Sequence, residues 1–191
     1  MRYIFICLLL CLSVATHISA EPVVKIGQDA PNFTLKDQNG TTHTLAQYKG
    51  KIVVLEWTNP TCPFVVRHYK AKTMTTLAGK HADVVWLTIN SSHYTTDKDN
   101  AAWAKAENVK FVLNDSTGKV GKQYGARTTP HMYVVDAKGK LAYMGAIDDD
   151  PYGDKKESTN YVAKALESLK ANQAVQTATT KEYGCSVKYK K

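Results

Sequence analysis

The sequence predicts an α/β fold in which helices flank a mixed central sheet. Continuous apolar runs at 52–55 and 84–87 have the length of buried strands, and segments with helical spacing follow both of them. This alternation of strands and helices is typical of βαβ units with parallel pairing. Two later apolar segments joined by a turn at 137–139 indicate a hairpin, which adds an antiparallel part to the sheet.

The first half of the chain predicts a hairpin, a central strand and a helix. Turn-forming residues separate short apolar alternations over 26–50, a pattern that indicates a β-hairpin or two short strands. The central strand is expected at 51–57. A helix is expected from Pro63 to about Gly79, because proline suits the first helical position, where its missing N–H needs no partner.

The second half continues the alternation. From 175 onward the periodic pattern ends, and we expect an irregular, flexible tail. The other expected elements are, in order, a strand at 83–89, a helix at 97–107, a strand at 111–113, a helix at 117–124, strands at 132–135 and 141–144, and a helix at 160–169.

The first twenty residues have the pattern of a signal peptide. Arg2 supplies a basic start, an apolar stretch follows at 4–12, and Ala20 is the small residue expected before a signal-peptidase cut. The apolar stretch is short for a permanent membrane span. We therefore predict that residues 1–20 are cleaved. Lipidation at Cys11 and an uncleaved anchor are the alternatives.

Cleavage would leave one folded domain at 21–174 and a tail at 175–191. A chain of 191 residues is long enough for one domain with its own core. Removal of the single basic residue of the leader lowers the net charge from +8 to about +7. The basic residues are scattered and no nucleic-acid motif accompanies them, so the charge indicates solubility and no nucleic-acid partner. We expect an exported protein, periplasmic or secreted, without stable membrane insertion.

Cys62 is the leading candidate for chemistry. It lies between the central strand and the helix that Pro63 opens, so its thiol is expected at a helix N-terminus. The positive end of the helix dipole favours the thiolate, which is the reactive form of cysteine. A buried, inert cysteine is the alternative. Cys185, in the tail, is the other cysteine that remains once a leader containing Cys7 and Cys11 is removed.

Four stretches of the sequence carry a family resemblance: 27–37, 51–64, 129–136, and 145–149 together with the helix at 160 and the tail at 183–188. In their order and spacing the chain resembles the thioredoxin-like redoxins, a group that includes thiol-specific antioxidant proteins and exported thioredoxin-like reductases. The first three stretches are similar to the opening hairpin, the active-site strand and turn, and the cis-proline loop of that family, and the resemblance covers nearly the whole mature chain. It implies a thioredoxin-like fold with an N-terminal β-hairpin extension and a cis peptide bond before Pro130.

Two family patterns are incomplete around Cys62. Thioredoxins and their reductase relatives carry Cys-x-x-Cys, whereas this chain has Asn59 three residues before Cys62 and Val65 three residues after it. Peroxiredoxins carry a proline seven residues before their reactive cysteine and a threonine or serine three residues before it. Here those positions hold Leu55 and Asn59, and Thr58 is one place away. The resemblance therefore leaves peroxide and protein disulfide open as substrates.

The resemblance implies a thiol oxidoreductase of the antioxidant branch, with peroxide reduction placed ahead of disulfide exchange. Cys62 would attack the substrate, Cys185 would resolve the sulfenic acid or mixed disulfide, and an external dithiol would reduce the product. A permanent disulfide between the two residues and a pair of free thiols remain alternatives. The alternative functions are a reductase of protein disulfides and a non-catalytic binding module with a structural disulfide.

Short polar side chains near the thiol are candidates for substrate binding. Thr58, Asn59 and Thr61 could hydrogen-bond a sulfur or a peroxide oxygen, and ordinary turn chemistry explains them equally well. On the opposite side of the site, the resemblance implies that Thr129 and Pro130 offer main-chain groups to an extended substrate segment.

Glu56 is unusual at the end of an apolar strand. A buried acid below the active site assists proton transfer in thioredoxins, but a solvent-facing strand end is the favoured interpretation. We expect no cofactor and no metal. Copper-delivering thioredoxin-like proteins use two nearby cysteines with a histidine, whereas Cys62 and His131 lack the second nearby cysteine.

Overall fold

One seven-stranded mixed sheet forms the framework of the protein in the computed structural model, which describes residues 24–190. The predicted leader at 1–20 lies outside the described residues. The strands are β1 (Thr34–Asp37), β2 (Thr42–Thr44), β3 (Val53–Thr58), β4 (Val85–Asn90), β5 (Val112–Asn114), β6 (Thr128–Thr129), β7 (His131–Val135), β8 (Leu141–Gly145) and β9 (Cys185–Ser186). The helices are a 3-10 turn (Leu45–Tyr48), α1 (Pro63–Lys70), α2 (Thr73–Lys80), α3 (Asp97–Glu107), α4 (Lys119–Tyr124) and α5 (Tyr161–Lys170).

The main sheet has the strand order β2-β1-β5-β4-β3-β7-β8. β3 is parallel to β4 and β4 to β5, whereas β7 and β8 continue the sheet in antiparallel pairing. The hairpin of β1 and β2 extends the sheet through an antiparallel pair of β1 with β5. The predicted mixed sheet and N-terminal hairpin extension are therefore confirmed. All six residues of β3 are buried, as expected for the central strand.

Helices cover both faces of the sheet. On one face, α1, α2 and α5 bury their apolar residues together with Val54 of β3, and Trp103 of α3 packs against the same cluster. On the other face, α4 and the 3-10 turn pack against Leu55 and Trp57. The alternation of β3 side chains between two apolar clusters explains why Val53, Val54 and Leu55 form a continuous apolar run. Among the described helices, none is long and apolar enough to span a membrane.

The helix predicted from Pro63 to Gly79 is wrong in one respect, because the chain breaks it into α1 and α2. Lys72 lies between the two helices in the left-handed conformation, with φ 56°. Tyr69 and Met74 are both buried in one apolar cluster although they are five residues apart. A continuous helix does not place residues five apart on one face, and the break restores the common orientation.

The other predicted helices and main-sheet strands occur with shifts of about one or two residues at their ends, the usual scale for element boundaries. The tail differs from the prediction. Cys185 and Ser186 form β9, which pairs with the short strand β6 in a separate two-stranded sheet. The expectation of an irregular, flexible tail is therefore wrong for this segment, because main-chain hydrogen bonding to a distant strand gives no local sequence signal.

The break at Lys72 predicts that glycine is favourable there. A left-handed conformation costs a residue with a side chain about 1–2 kcal/mol and costs glycine much less, so Lys72→Gly is expected to raise the free energy of unfolding by roughly 0.5–1 kcal/mol. Urea unfolding measures the change, with Lys72→Ala as the control that keeps the strained conformation. A loss of about 1 kcal/mol in the glycine variant, as inside a continuous helix, would contradict the break.

Candidate active site

Cys62 lies where the sequence predicted it, at the junction of β3 and α1. It is the residue that precedes the first turn of α1, and Pro63 occupies the first helical position. The side chain is only 2% exposed. Its thiol donates a hydrogen bond to the main-chain oxygen of Thr129, with a distance of 3.0 Å from Sγ to the oxygen. The first half of the candidate site is thus a buried thiol that faces the loop before β7.

The peptide bond between Thr129 and Pro130 is cis, as the resemblance implied. Thr128 and Thr129 form β6, which pairs with β9 in antiparallel register, so that Thr129 lies opposite Cys185. The side-chain hydroxyl of Thr129 lies 3.5 Å from the main-chain oxygen of Cys185. The edge that was expected to accept an extended substrate segment is therefore occupied by the protein's own tail.

Both cysteines have free thiols in this structure, and the two thiols lie in contact. Burial opposes ionisation of Cys62. Hydrogen bonds from the side chains of Cys185 and Thr129, together with the N–H of Val65 in the first turn of α1, outweigh burial and lower the pKa of Cys62. For Cys185, burial and the neighbouring Cys62 raise the pKa to about 11. The pair therefore favours a thiolate on Cys62 and a protonated thiol on Cys185.

The tail is held on both sides of Cys185. Before it, Glu182 forms an ion pair with Arg127 at 2.8 Å. After it, the N–H of Val187 donates to the oxygen of Arg127 at 3.0 Å, and the hydroxyl of Tyr189 donates to the oxygen of Ala126 at 2.7 Å. These contacts join the tail to the segment just before β6, which fixes β9 beside Cys62.

The polar residues next to the thiol divide into two groups. Asn59 and Thr61 belong to the turn, because the side-chain oxygen of Asn59 accepts from both the N–H and the hydroxyl of Thr61 at 2.9 Å. The amide group of Asn59 donates to Tyr94 at 3.0 Å. Thr58 differs from them. Its hydroxyl is buried and has no hydrogen-bond partner among the described residues.

Glu56 is fully buried, and the interpretation of a solvent-facing strand end is wrong. Its carboxylate accepts hydrogen bonds from the hydroxyl of Tyr69 at 2.9 Å and from the indole N–H of Trp86 at 2.8 Å. Burial raises the pKa of Glu56 to about 7, although these two partners favour the charged form. Two long-range partners, from α1 and β4, thus hold the carboxyl group inside the core.

Sequence reasoning missed a buried polar cluster beside the tail. Tyr183 extends from the tail towards His68 of α1 and Asp148, the residue three places after β8. The sequence carries only a weak signal for this cluster, since Tyr183 belongs to the similar tail stretch at 183–188 and its partners are distant in sequence. A metal site is a separate matter: within residues 24–190, no group of three or more histidine, cysteine or acidic side chains is arranged to hold a metal ion.

The thioredoxin-like fold, with a cysteine at the β3–α1 junction opposite a cis-proline loop, defines a redoxin-type protein. The chain matches the AhpC/TSA family over residues 26–144. It belongs to this family.

Relatives of two kinds are similar to this chain. Chloroplastic peroxiredoxin Q of Triticum aestivum is 33% identical over 63% of this chain and 58% of the relative, so the chain spans less than two thirds of that protein. The peroxiredoxin Q of Populus jackii is 35% identical over 76% of this chain and 70% of the relative. Thiol-disulfide oxidoreductase ResA of Bacillus cereus is 27% identical, with coverage of 65% and 72%.

The fold is also similar to that of a solved structure. The crystal structure of the hypothetical protein SMc02350 from Sinorhizobium meliloti has a TM-score of 0.79 and 28% identity, and the match covers 87% of this chain and 96% of that chain. Family membership and relatives of both kinds identify the chain as a thiol-dependent oxidoreductase.

Glu56 predicts a specific pH dependence of stability. Its pKa is 4.5 without burial and about 7 in the folded protein, so folding favours the protonated acid. The contribution of Glu56 to the free energy of unfolding is largest below pH 4.5, falls as the pH rises to about 7, and is constant above that. The total decrease in the free energy of unfolding is about 3 kcal/mol. We expect Glu56→Gln to lack this loss when urea unfolding is measured from pH 4.5 to 8. Parallel curves for the two proteins would contradict the assignment.

Proposed function

We propose that this protein is an exported thiol peroxidase in which Cys62 reacts with peroxide and Cys185 resolves the product. The observation that carries the proposal is the position of the tail: β9 covers the buried thiol of Cys62 and holds the second thiol against it. Contact between the two thiols supports a reaction that passes directly from one sulfur to the other.

The covered site favours a small oxidant over a protein disulfide. Cys62 is 2% exposed, and the main-chain edge of Thr129 is already paired with the tail. A peptide that carried a disulfide would have to displace β9 before it reached the sulfur. A peroxide needs room for only two oxygen atoms. The buried, unpartnered hydroxyl of Thr58 supports this choice, since a buried hydroxyl without a partner gains from binding a peroxide oxygen.

The first step uses the thiolate of Cys62. The sulfur attacks one peroxide oxygen, the O–O bond breaks as the S–O bond forms, and the other oxygen takes a proton and leaves as water or an alcohol. Cys185 then attacks the sulfenic sulfur of Cys62. The S–S bond forms, and the hydroxyl group leaves with the thiol proton as water. The product is a disulfide between the two residues.

The pKa values support this order of events. The pKa of Cys62 lies below its usual value, whereas burial and the neighbouring Cys62 raise that of Cys185 to about 11. Cys185 therefore stays protonated while Cys62 is charged. Oxidation replaces the charge of Cys62 with a neutral sulfenic acid, which removes one of the two causes that keep Cys185 protonated.

An external dithiol would complete the cycle at Cys185. Cys185 is partly exposed and Cys62 is buried, so an incoming thiolate reaches the sulfur of Cys185 first. Cys62 then leaves, and a thiol of low pKa is the better leaving group. The dithiol supplies two electrons and two protons, and its own disulfide is released.

Reduction of protein disulfides is the second candidate function. The similarity to ResA supports it, and so does the departure from the peroxiredoxin pattern at Leu55 and Asn59. In this case the tail would first have to leave the edge of Thr129. A non-catalytic module with a permanent disulfide is the third candidate, and the partial exposure of Cys185 argues against it, because exposed disulfides are generally the labile ones.

Three proteins distinguish these functions: the processed wild type, Cys62→Ser and Cys185→Ser. With a dithiol reductant, we expect the wild type to consume peroxide catalytically and Cys62→Ser to be inactive. Cys185→Ser is expected to consume about one equivalent and to accumulate sulfenic acid, trapped by a dimedone-type reagent. Serine is a suitable replacement because its hydroxyl still donates to the thiolate of Cys62.

Insulin reduction by the same proteins provides the comparison. Rapid insulin reduction without peroxide consumption would favour disulfide exchange. If neither activity is found and the disulfide has a reduction potential below about −300 mV, the proposal of an enzyme fails and a permanent structural disulfide is supported.

Export rests on the pattern of residues 1–20 and has its own test. N-terminal sequencing of protein recovered from outside the cytoplasm is expected to begin at Glu21. A chain that begins at Met1, or one with a lipid on Cys11, would contradict cleavage after Ala20.

A further inference from the structure

Tyr183 lies two residues before Cys185 and connects the tail to α1, the helix that begins next to Cys62. Its hydroxyl donates a hydrogen bond to the carboxylate of Asp148 and lies 2.8 Å from Nε2 of His68. Its ring also stacks on the ring of His68 at a centroid distance of 6.1 Å. Because His68 belongs to α1, the helix that begins next to Cys62, one side chain fixes both cysteines relative to the same helix.

The partners of Tyr183 are buried. His68 is completely buried, and Asp148 is 5% exposed. Arg67 lies beside them, with Nη2 at 2.8 Å from Nε2 of His68 and at 2.7 Å from the main-chain oxygen of Asp150. Burial and the charge of Arg67 lower the pKa of His68 to about 3, so the ring is neutral at physiological pH. His68 therefore keeps one protonation state over the working range.

The chain between Tyr183 and Cys185 packs closely against the main chain of Thr129. Gly184 adopts φ 127°, and a Cβ atom there would collide with the main-chain oxygen of Thr129. That same oxygen accepts the hydrogen bond from Cys62. Glycine is required by this close approach. A displacement of Tyr183 is therefore transmitted through one tightly packed residue to the sulfur of Cys185.

The two sides of Cys185 are held by different kinds of contact. After Cys185, the main-chain N–H of Val187 donates to Arg127, and the main chain at Lys188 accepts from His93 at 2.9 Å. Side-chain substitution leaves these bonds in place. Before Cys185, main-chain bonds between Met144 and the tail at 178–180 hold the chain five residues away from the cysteine. Between that point and Cys185 the tail is held by the side chains of Tyr183 and Glu182, so the approach to Cys185 depends on the tyrosine hydroxyl.

A buried polar cluster adds little stability compared with apolar side chains of similar volume, but it can specify one arrangement. We propose that Tyr183 is a positioning residue for Cys185, with His68 and Asp148 as its anchor. It sets the effective concentration of the Cys185 thiol at the sulfur of Cys62. This role rests on the proposed function in one respect: it requires that the two cysteines form a disulfide.

The experiment measures the Cys62–Cys185 disulfide at equilibrium with glutathione, in which two glutathione thiols reduce the bond to a dithiol and form one glutathione disulfide. We compare exported wild-type protein with Tyr183→Phe and Tyr189→Phe. Each variant loses one hydroxyl from a tail tyrosine, and the two positions flank Cys185. The unfolding transition of each variant confirms that it remains folded.

Tyr183→Phe is expected to lower the effective concentration of Cys185 about tenfold, because it removes a hydrogen bond to a charged group. Tyr189→Phe is expected to change it less than threefold, since main-chain bonds hold that side. With peroxide, Tyr183→Phe should form the disulfide about tenfold more slowly, a larger decrease than that in the oxidation rate of Cys62, and should accumulate more sulfinic acid. A variant that had only lost stability would not slow disulfide formation more than it slowed the oxidation of Cys62.

Equal equilibria for wild type and Tyr183→Phe, or equal losses in both variants, would overturn the positioning role. The proposed function fails separately. A wild-type protein that forms the glutathione-exchangeable disulfide but does not react with peroxide retains the role of Tyr183 and loses the peroxidase proposal.

Discussion

The candidate site depends on the antiparallel pairing of β6 with β9. This pairing sets Cys185 opposite Thr129, while the main-chain oxygen of Thr129 accepts the thiol of Cys62. One residue therefore contacts both halves of the site. The cis bond that precedes Pro130 and the close approach of Gly184 both belong to this contact, so the geometry of the two thiols follows from the course of two main-chain segments.

The part of the site that sequence predicted is the part encoded by neighbouring residues. Pro63 follows Cys62 and an apolar strand precedes it, so the junction of β3 and α1 has a local signal. The cis bond at Pro130 has no such signal, and only the family resemblance predicted it. The mixed sheet was predictable for the same local reason, because alternating strands and helices restrict the topology.

The failures of prediction concern residues whose partners are distant in sequence. Glu56 looked like an exposed strand end because its two partners, Tyr69 and Trp86, are 13 and 30 residues away. The helix propensities of the residues around Lys72 do not predict the break. The break follows from the burial of α1 and α2 in one apolar cluster. The tail strand is specified by main-chain bonds to β6, whose side chains do not encode the pairing.

Glu56 and Cys62 are two buried ionisable groups on this side of the sheet, and hydrogen-bond donors decide whether the pKa of each is raised or lowered. Burial raises the pKa of Glu56 to about 7, because the donors from Tyr69 and Trp86 do not outweigh it. Burial also opposes the thiolate of Cys62, and there the donors do outweigh it. The strongest of those donors is the thiol of Cys185, which the tail delivers. The tail therefore acts on Cys62 before oxidation as well as after it, and a protein without the docked tail would hold a less acidic Cys62.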